Sequence, residues 1–503
     1  MSVNRVCPHR SPTRVSARRL RRAALARVAA AHVLLVVVTL SAARAAETSP
    51  GIGLGPFALL PALGLEAGYD DNILLRASDA EADEVLRAVA RFDLRLPRPG
   101  PDQARAAPPP PDSERPIATP SEILDALSPR WVFPSDFAPP VAGEDPPVVA
   151  RRAAGLSRAR PATTLDVGYE ASGTLFVDHD EFNTVDQSVS GAALKTLAGG
   201  FALGAAGEWI DRTTVSSDLT DFAQYASDVR LAGADFDRGA GGVLVGWEPT
   251  SAWYLEADYL YYVTSLGPEP YDLFGFHVHE AALKVRRTLD TGWELEPRVD
   301  LGRIDGEADA ESLRRSGLVP PFVPLDFTGD PRAAYLAQGS FAVRGPLTPK
   351  LSIDSRAGIQ SRTFDETTLD GYLDFLVEAS LQWKPQSNLE IEIGGSRAPI
   401  DVFGSDGSFL VRNEAVARVA LEFLRDWDAH LRVDGGMDTF DQSSSLTGRQ
   451  REDQFLGGEL GVGWQPQPWL RVEAIGRSRW RSSNVSEEDT ERSRIALRCW
   501  LRY

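Results

Sequence analysis

Apolar and polar side chains take turns at every second position over most of this chain, in runs of about bilayer-crossing length, roughly 9–11 residues each. Period two is the mark of a strand whose two faces meet different surroundings. In the last run Ile495, Leu497, Cys499, Leu501 and Tyr503 share one face, with Arg494, Arg498 and Arg502 on the other. In another, Leu295, Val299 and Leu301 oppose Glu294, Glu296, Arg298 and Asp300, and Pro297 predicts a bulge because it cannot donate to a ladder. The runs begin near residue 55, pause over 97–161 and then continue to the C-terminus.

Such a pattern suits either a soluble β-sandwich or a membrane barrel, and the connections favour the barrel. Short links such as 248–252, 290–292, 385–387, 425–428 and 465–468 alternate with long ones such as 213–228, 305–331, 441–453 and 482–491. Outer-membrane barrels have this asymmetry, with tight periplasmic turns and long outer loops. Trp247, Trp253, Trp293, Trp383, Trp427, Trp464 and Trp469 all lie at the short links. Indole rings prefer the lipid–water interface, so these positions read as an aromatic girdle at one rim. The expected fold is all-β: a transmembrane, antiparallel, up-and-down barrel of about 18 strands, or 16, the number being even because both ends face the periplasm.

Residues 1–46 read as a secretory leader. They hold nine arginines and no acid before 46, an apolar run at 28–40 and a small-residue end that places cleavage near Ala45 or Ala46. The run at 28–40 is too short for a membrane anchor. Removing nine of the 53 basic residues while keeping all 71 acids takes the net charge from −18 to −27, which excludes nucleic acid as a partner. Cys7 leaves with the leader and Cys499 stays alone, so an intrachain disulfide is not available. The mature chain divides into 47–96, holding the first two strands, a proline-rich excursion at 97–161, and the remaining barrel at 162–503. The excursion cannot cross lipid and is placed in the periplasm, as a linker, a plug or a docking segment.

The inward face carries charge of both signs, the expected wall of a water-filled barrel. Arg471, Arg477, Arg479, Arg494 and Arg498 concentrate positive charge on one arc, which would favour an anionic solute. Acids such as Asp178, Asp305, Asp365 and Glu487 fall in the outer loops, as solvated surface or as anchors for divalent cations against lipopolysaccharide. No catalytic residues, resident metal or cofactor are expected. His277 and His279 share a face at spacing i, i+2, which suits wall residues or a metal pair. A lipid-facing serine–histidine hydrolase would need one of them on the outer wall.

Near the N-terminus, Tyr69-Asp70-Asp71-Asn72 ends the first strand. An Asx-type turn or a cation at the hairpin tip would use these carboxylates. This motif, followed by many long hairpins, resembles the family called putative β-barrel porin type 2. The resemblance implies one barrel over 55–503, in a Gram-negative outer membrane. It also implies, as for some relatives, a route for polysaccharide export with periplasmic export components as partners. The excursion at 97–161 departs from the family pattern. The terminal face of Ile495, Leu497, Cys499, Leu501 and Tyr503 is similar to the C-terminal strand that barrel-assembly machinery reads.

Overall fold

The computed structural model describes residues 52–72, 82–96, 163–179, 183–214, 234–267, 276–306, 333–365, 371–404, 407–443, 450–467, 469–484 and 489–502. Residues 1–46, read above as a leader, residues 97–161, read as an excursion, and Tyr503 lie outside the described residues. The strands are β1 (Ile52–Leu54), β2 (Phe57–Asp70), β3 (Asp83–Leu96), β4 (Thr163–Phe176), β5 (Thr184–Thr196), β6 (Phe201–Thr214) and β7 (Ala234–Thr250). They continue with β8 (Trp253–Gly267), β9 (Phe276–Thr288), β10 (Glu294–Gly306), β11 (Ala334–Thr348), β12 (Leu351–Phe364) and β13 (Tyr372–Gln386). The last are β14 (Leu389–Gly404), β15 (Gly407–Leu424), β16 (Trp427–Ser443), β17 (Gln450–Gln467), β18 (Leu470–Ser483) and β19 (Thr490–Arg502).

Each of β2 to β19 pairs antiparallel with the next, and β19 returns to pair with β2 from Arg494↔Asp70 to Arg502↔Ala62. Closure leaves an 18-strand, antiparallel, up-and-down barrel, as the alternation predicts. The three-residue β1 folds back on β2 (Ile52↔Leu59) and takes over the edge where β19 stops. Pro61, which has no N–H to give, sits between those two partners and so interrupts nothing on that side.

Tight links join β7 to β8, β11 to β12, β13 to β14, β15 to β16 and β17 to β18, all at one rim. The β5–β6 and β9–β10 links at the same rim use the positive φ of Gly199 and Gly200 (79°) and Gly292 (82°). Leu96 and Thr163, which flank the excursion, also emerge at this rim, close to the pair Leu96↔Leu165.

The polarity is that of a protein in lipid. Leu283, Val299, Leu301, Ile359, Ile393, Leu460, Ile495 and Leu497 point outward and are exposed, while Glu256, Lys284, Arg286, Glu296, Asp300, Arg412 and Glu473 point inward and are buried. In water this arrangement would cost both ways; around a bilayer it satisfies both faces. Outward tryptophans mark the short-turn rim, with Trp427 stacked on Trp464 (5.8 Å) and Trp247 on Phe201 (5.6 Å). A second outward aromatic belt, which sequence reasoning missed, comprises Tyr69, Trp209, Tyr259, Tyr261, Tyr335, Phe375 and Trp480. Trp253 and Tyr261 are about 27 Å apart along β8, roughly 20 Å of height after tilt, close to the ~25 Å apolar band of such barrels.

From the height of the second belt upward the faces exchange character. His277, Arg303, Asp305 and Asp365 lie on the outside, whereas Val278, Ile304, Leu336, Phe364, Leu410 and Phe440 turn inward and are buried. The wall there is that of an ordinary sheet in water, so the strands extend past the bilayer. The bulge expected at Pro297 does not form. The β9–β10 ladder lacks its pairs at Glu296 and Pro297 but resumes at Arg298↔Lys284 in unchanged register. The missing donor is absorbed by skipping pairs, because an inserted residue would turn every later side chain to the wrong face.

Candidate functional site

The lumen wall is built from the inward set of each strand, and register decides which charges meet. Arg471, Arg477 and Arg479 stand on β18, and Arg494 and Arg498 stand beside them on β19. The structure therefore brings the predicted arginines onto one arc. It also supplies their carboxylates, of which sequence reasoning placed Glu473 on the inward face and missed Asp428, Glu459 and Glu66. Arg471 donates to Asp428 on β16 (2.8 and 2.9 Å) and to Glu473 (3.4 Å). Arg477 pairs with Glu459 on β17, which also meets His430 Nε2 at 3.0 Å. Arg498 donates to Glu66 on β2 (2.6 Å), Arg494 pairs with the same carboxylate, and Arg498 lies 4.0 Å from Glu473. Arg479 lies over the Phe455 ring at 5.9 Å.

These contacts run from Asp428 through Arg471, Glu473 and Arg498 to Glu66, crossing from β16 to β2. Arg471 reaches Asp428 only by passing over Gly463 on β17, where a Cβ would strike the guanidinium. The signal for the carboxylates was present as acids of matching parity on neighbouring strands, but pairing them requires the register.

The Tyr69-Asp70-Asp71-Asn72 motif lies where the barrel closes. Tyr69 faces out in the second aromatic belt, and Asp70 faces in and is buried. Arg492 on β19 donates to both Asp70 oxygens (3.0 Å each). The Asp71 carboxylate accepts the Ser493 N–H (2.6 Å), and the Asn72 amide donates to the Glu491 carbonyl (2.8 Å). Asn72 N–H also donates to Asp70 Oδ1 (3.2 Å), an Asx-type turn bond. Three consecutive side chains thus fasten the end of the first barrel strand to the start of the last.

A second charged patch lies on β8 to β12. Lys284 meets Glu256 (2.5 Å), Arg286 meets Glu296 (2.8 Å), Arg344 meets Glu296 (3.4 Å) and Asp354 (2.7 Å), and Arg298 meets Asp300 (2.6 Å). In the ring, β9 and β10 stand nine strands from β18 and β19, directly across the lumen. The acids Glu256, Asp258, Glu280, Glu294, Glu296 and Asp300 outnumber their local cations Lys284, Arg286 and Arg298, so this side is acidic where the other is basic. Between them the inward face of β5 to β7 includes a run of small residues, Ser188, Ser190, Ala192, Ala202, Gly204, Ala206, Gly242 and Gly246, beside Leu194, Leu244 and the acids Asp186 and Glu248.

His277 and His279 are on the outer wall, not in the lumen. His279 Nδ1 lies 2.7 Å from the Tyr259 hydroxyl, and His277 Nε2 lies 3.9 Å from Asp305. The group paired with His279 is a phenol in the aromatic belt rather than a serine. Arg303 joins Asp305 and Asp365 nearby (2.7 and 2.8 Å) and stacks on Tyr335 (4.5 Å). Among the described residues no cluster of three or more metal-ligating side chains occurs. On β19 Ile495, Leu497, Cys499 and Leu501 share the outward face, and Cys499 is a free thiol.

A closed barrel with a lipid-facing apolar band, aromatic belts and a charged interior is an outer-membrane β-barrel of porin-like build. In agreement, residues 330–503 match the family model described as putative beta-barrel porin 2. No curated protein sequence matches the chain. Among solved structures, the chain is similar to the outer membrane protein OpdK of Pseudomonas aeruginosa (10% identity, 88% of this chain and 99% of that one, TM-score 0.42). It is similar also to OccAB4 of Acinetobacter baumannii (9%, 88% and 98%, 0.43) and to the siderophore receptor PirA of Pseudomonas aeruginosa (8%, 88% and 80%, 0.40).

Proposed function

We propose that this barrel is a channel for charged, hydrophilic solutes across the Gram-negative outer membrane, working after removal of residues 1–46. The observation that carries the reading is the charge arrangement across the lumen: an arginine-rich arc on β18 and β19 faces an acid-rich arc on β8 to β10. Opposed charges set up a field across the pore that orients a polar solute and resists an apolar one. The arginines are held by carboxylates, so selectivity comes from their residual excess and not from free cations. An anionic solute is the favoured cargo. Export of an acidic polysaccharide, with periplasmic export components as partners, is the polymer form of the same reading and is supported by the family resemblance. The outward face of the last strand supplies the signal for barrel-assembly machinery, and the second aromatic belt meets the lipopolysaccharide leaflet.

A second reading is an adaptor barrel with a closed lumen that docks a periplasmic partner. It draws support from the inward collar of Val278, Ile304, Leu336, Leu410 and Phe440, all almost fully buried. Single-channel recording of the refolded protein in a planar bilayer decides between them. Stable conductance steps with anion preference are expected, and Arg477→Glu with Arg494→Glu should lower the anion-to-cation permeability ratio. Silence from protein shown to be folded would overturn the channel reading in favour of the adaptor.

A further inference from the structure

Among the described residues the β13–β14 seam is the more incomplete of two: the β5–β6 ladder also stops three pairs short, at Gln187↔Asp211, with no proline at the break. The β13–β14 ladder runs from Gln386↔Leu389 up to Val377↔Arg397 and stops, although β13 continues to Tyr372 and β14 continues to Gly404. Both flanks are intact at that height. β13 still pairs with β12 through Arg362↔Tyr372, and β14 still pairs with β15 through Pro399↔Val411, Ile400↔Leu410 and Asp401↔Phe409. Pro399 gives the cause, since the next donor due to β13 is a proline nitrogen without hydrogen. At Pro297 the ladder skipped two pairs and resumed. Here it does not resume.

The side chains at the gap confirm that the wall is open there. The Phe375 N–H donates to the carboxylate of its own neighbour Asp374 (2.7 Å) instead of to a strand. Arg397 shares the outward face with Val377 and Asn413, yet it donates to Asp374 (3.0 and 3.2 Å), which stands opposite Gln360 on the lumen face. An outward arginine can reach an inward carboxylate only through the sheet. Its guanidinium also lies 4.3 Å over the Phe375 ring, and the outward rim carries Leu373, 73% exposed.

We infer that the β13–β14 seam is a side port between the lumen and the headgroup boundary of the outer leaflet, taking an amphiphile with an anionic head and an alkyl tail, with Arg397 as its latch. Open strand edges at the lipid boundary leave polar groups to be met, which Asp374 and Arg397 do at rest. A passing anionic head can replace Asp374 on Arg397 while the tail runs down the outer face along Phe375 and Val377. A purely hydrophilic solute gains nothing from the lipid side of the slot, and a purely apolar one nothing from the latch.

Residue-resolved amide exchange on the refolded full-length barrel in a neutral maltoside detergent tests this, with single-channel conductance read on the same samples. Leu373 and Phe375 share an edge with the ladder-paired Val377 and Ala379, and should exchange about tenfold or more faster. Dodecyl phosphate should slow them, inorganic phosphate should not, and Arg397→Gln should remove the protection while leaving exchange fast. Pro399→Val, which restores a donor, should slow exchange without ligand. Equal exchange of Phe375 and Val377 in the wild type would overturn the open seam. Protection by dodecyl phosphate that survives Arg397→Gln would overturn the latch. If the valine variant does not fold, the wild type and Arg397→Gln still decide. Conductance bears only on the channel reading, since the side port does not require it.

Discussion

Glu66 is the acid on which the closing seam depends. It is 9% exposed, and it accepts from Arg494 and Arg498 on the strand that completes the ring. Replacing it by alanine leaves two partly buried guanidinium groups without their shared carboxylate, which costs about 1–3 kcal/mol. Glu66→Ala is therefore expected to lower the thermal midpoint of the folded, fast-migrating species on semi-native gels. Lys384→Ala, at an exposed pair, should leave it within about 0.5 kcal/mol of wild type. Gly64 tests the same seam by shape. Its missing Cβ is filled by the Trp500 ring on β19, so Gly64→Val should slow or prevent closure. Gly339→Ala, with open space around it, should not. The arginines of the lumen were legible from parity alone. Which carboxylates they meet was not, because Asp428 and Arg471 are far apart in sequence and meet only over the absent side chain of Gly463.

At the scale of a strand, Pro297 and Pro399 are the same chemical event with different outcomes. β10 loses two pairs with β9 and resumes, held on its other side by the unbroken ladder to β11 from Glu294↔Arg344 to Ile304↔Ala334. Pro297→Val should add a ladder bond on an outward position that lipid accepts, stabilising by about 0.5–1.5 kcal/mol. The check is a higher unfolding midpoint together with slower exchange of the amides around Val285. A proline within a run announces a lost donor. It does not announce whether the neighbouring strand returns to register, which depends on the twist and on the groups that can fill the gap. That is why a bulge was the natural expectation at Pro297 and why the opening at Pro399 could not be read from the run that precedes it.

The whole molecule is arranged by its solvents. Outward leucines would be errors in water, and around lipid they are the fold's main contact. Leu283 is 63% exposed and sits in the apolar band, where a soluble protein would accept arginine with little effect. Here Leu283→Arg is expected to destabilise by about 2–4 kcal/mol if it lies near the midplane. Denaturant titration in lipid vesicles measures this, and a change within error would count against membrane insertion at that height. From the height of the second aromatic belt upward the rule reverses, so Arg303 and His277 lie outside and Ile304 and Val278 lie inside.

The sequence by itself determined the strand period, the even ring of about 18, the rim of short turns with its tryptophans and the charged lining, because each follows from local alternation and turn chemistry. The tertiary structure alone decided which charges pair, what the Tyr69–Asn72 motif does and where the wall is open. Those depend on register between strands distant in the chain, and one-residue slips that leave the sequence pattern untouched would exchange the two faces. Asp70 and Arg492 are at opposite ends of the barrel sequence, and they touch because the sheet closes.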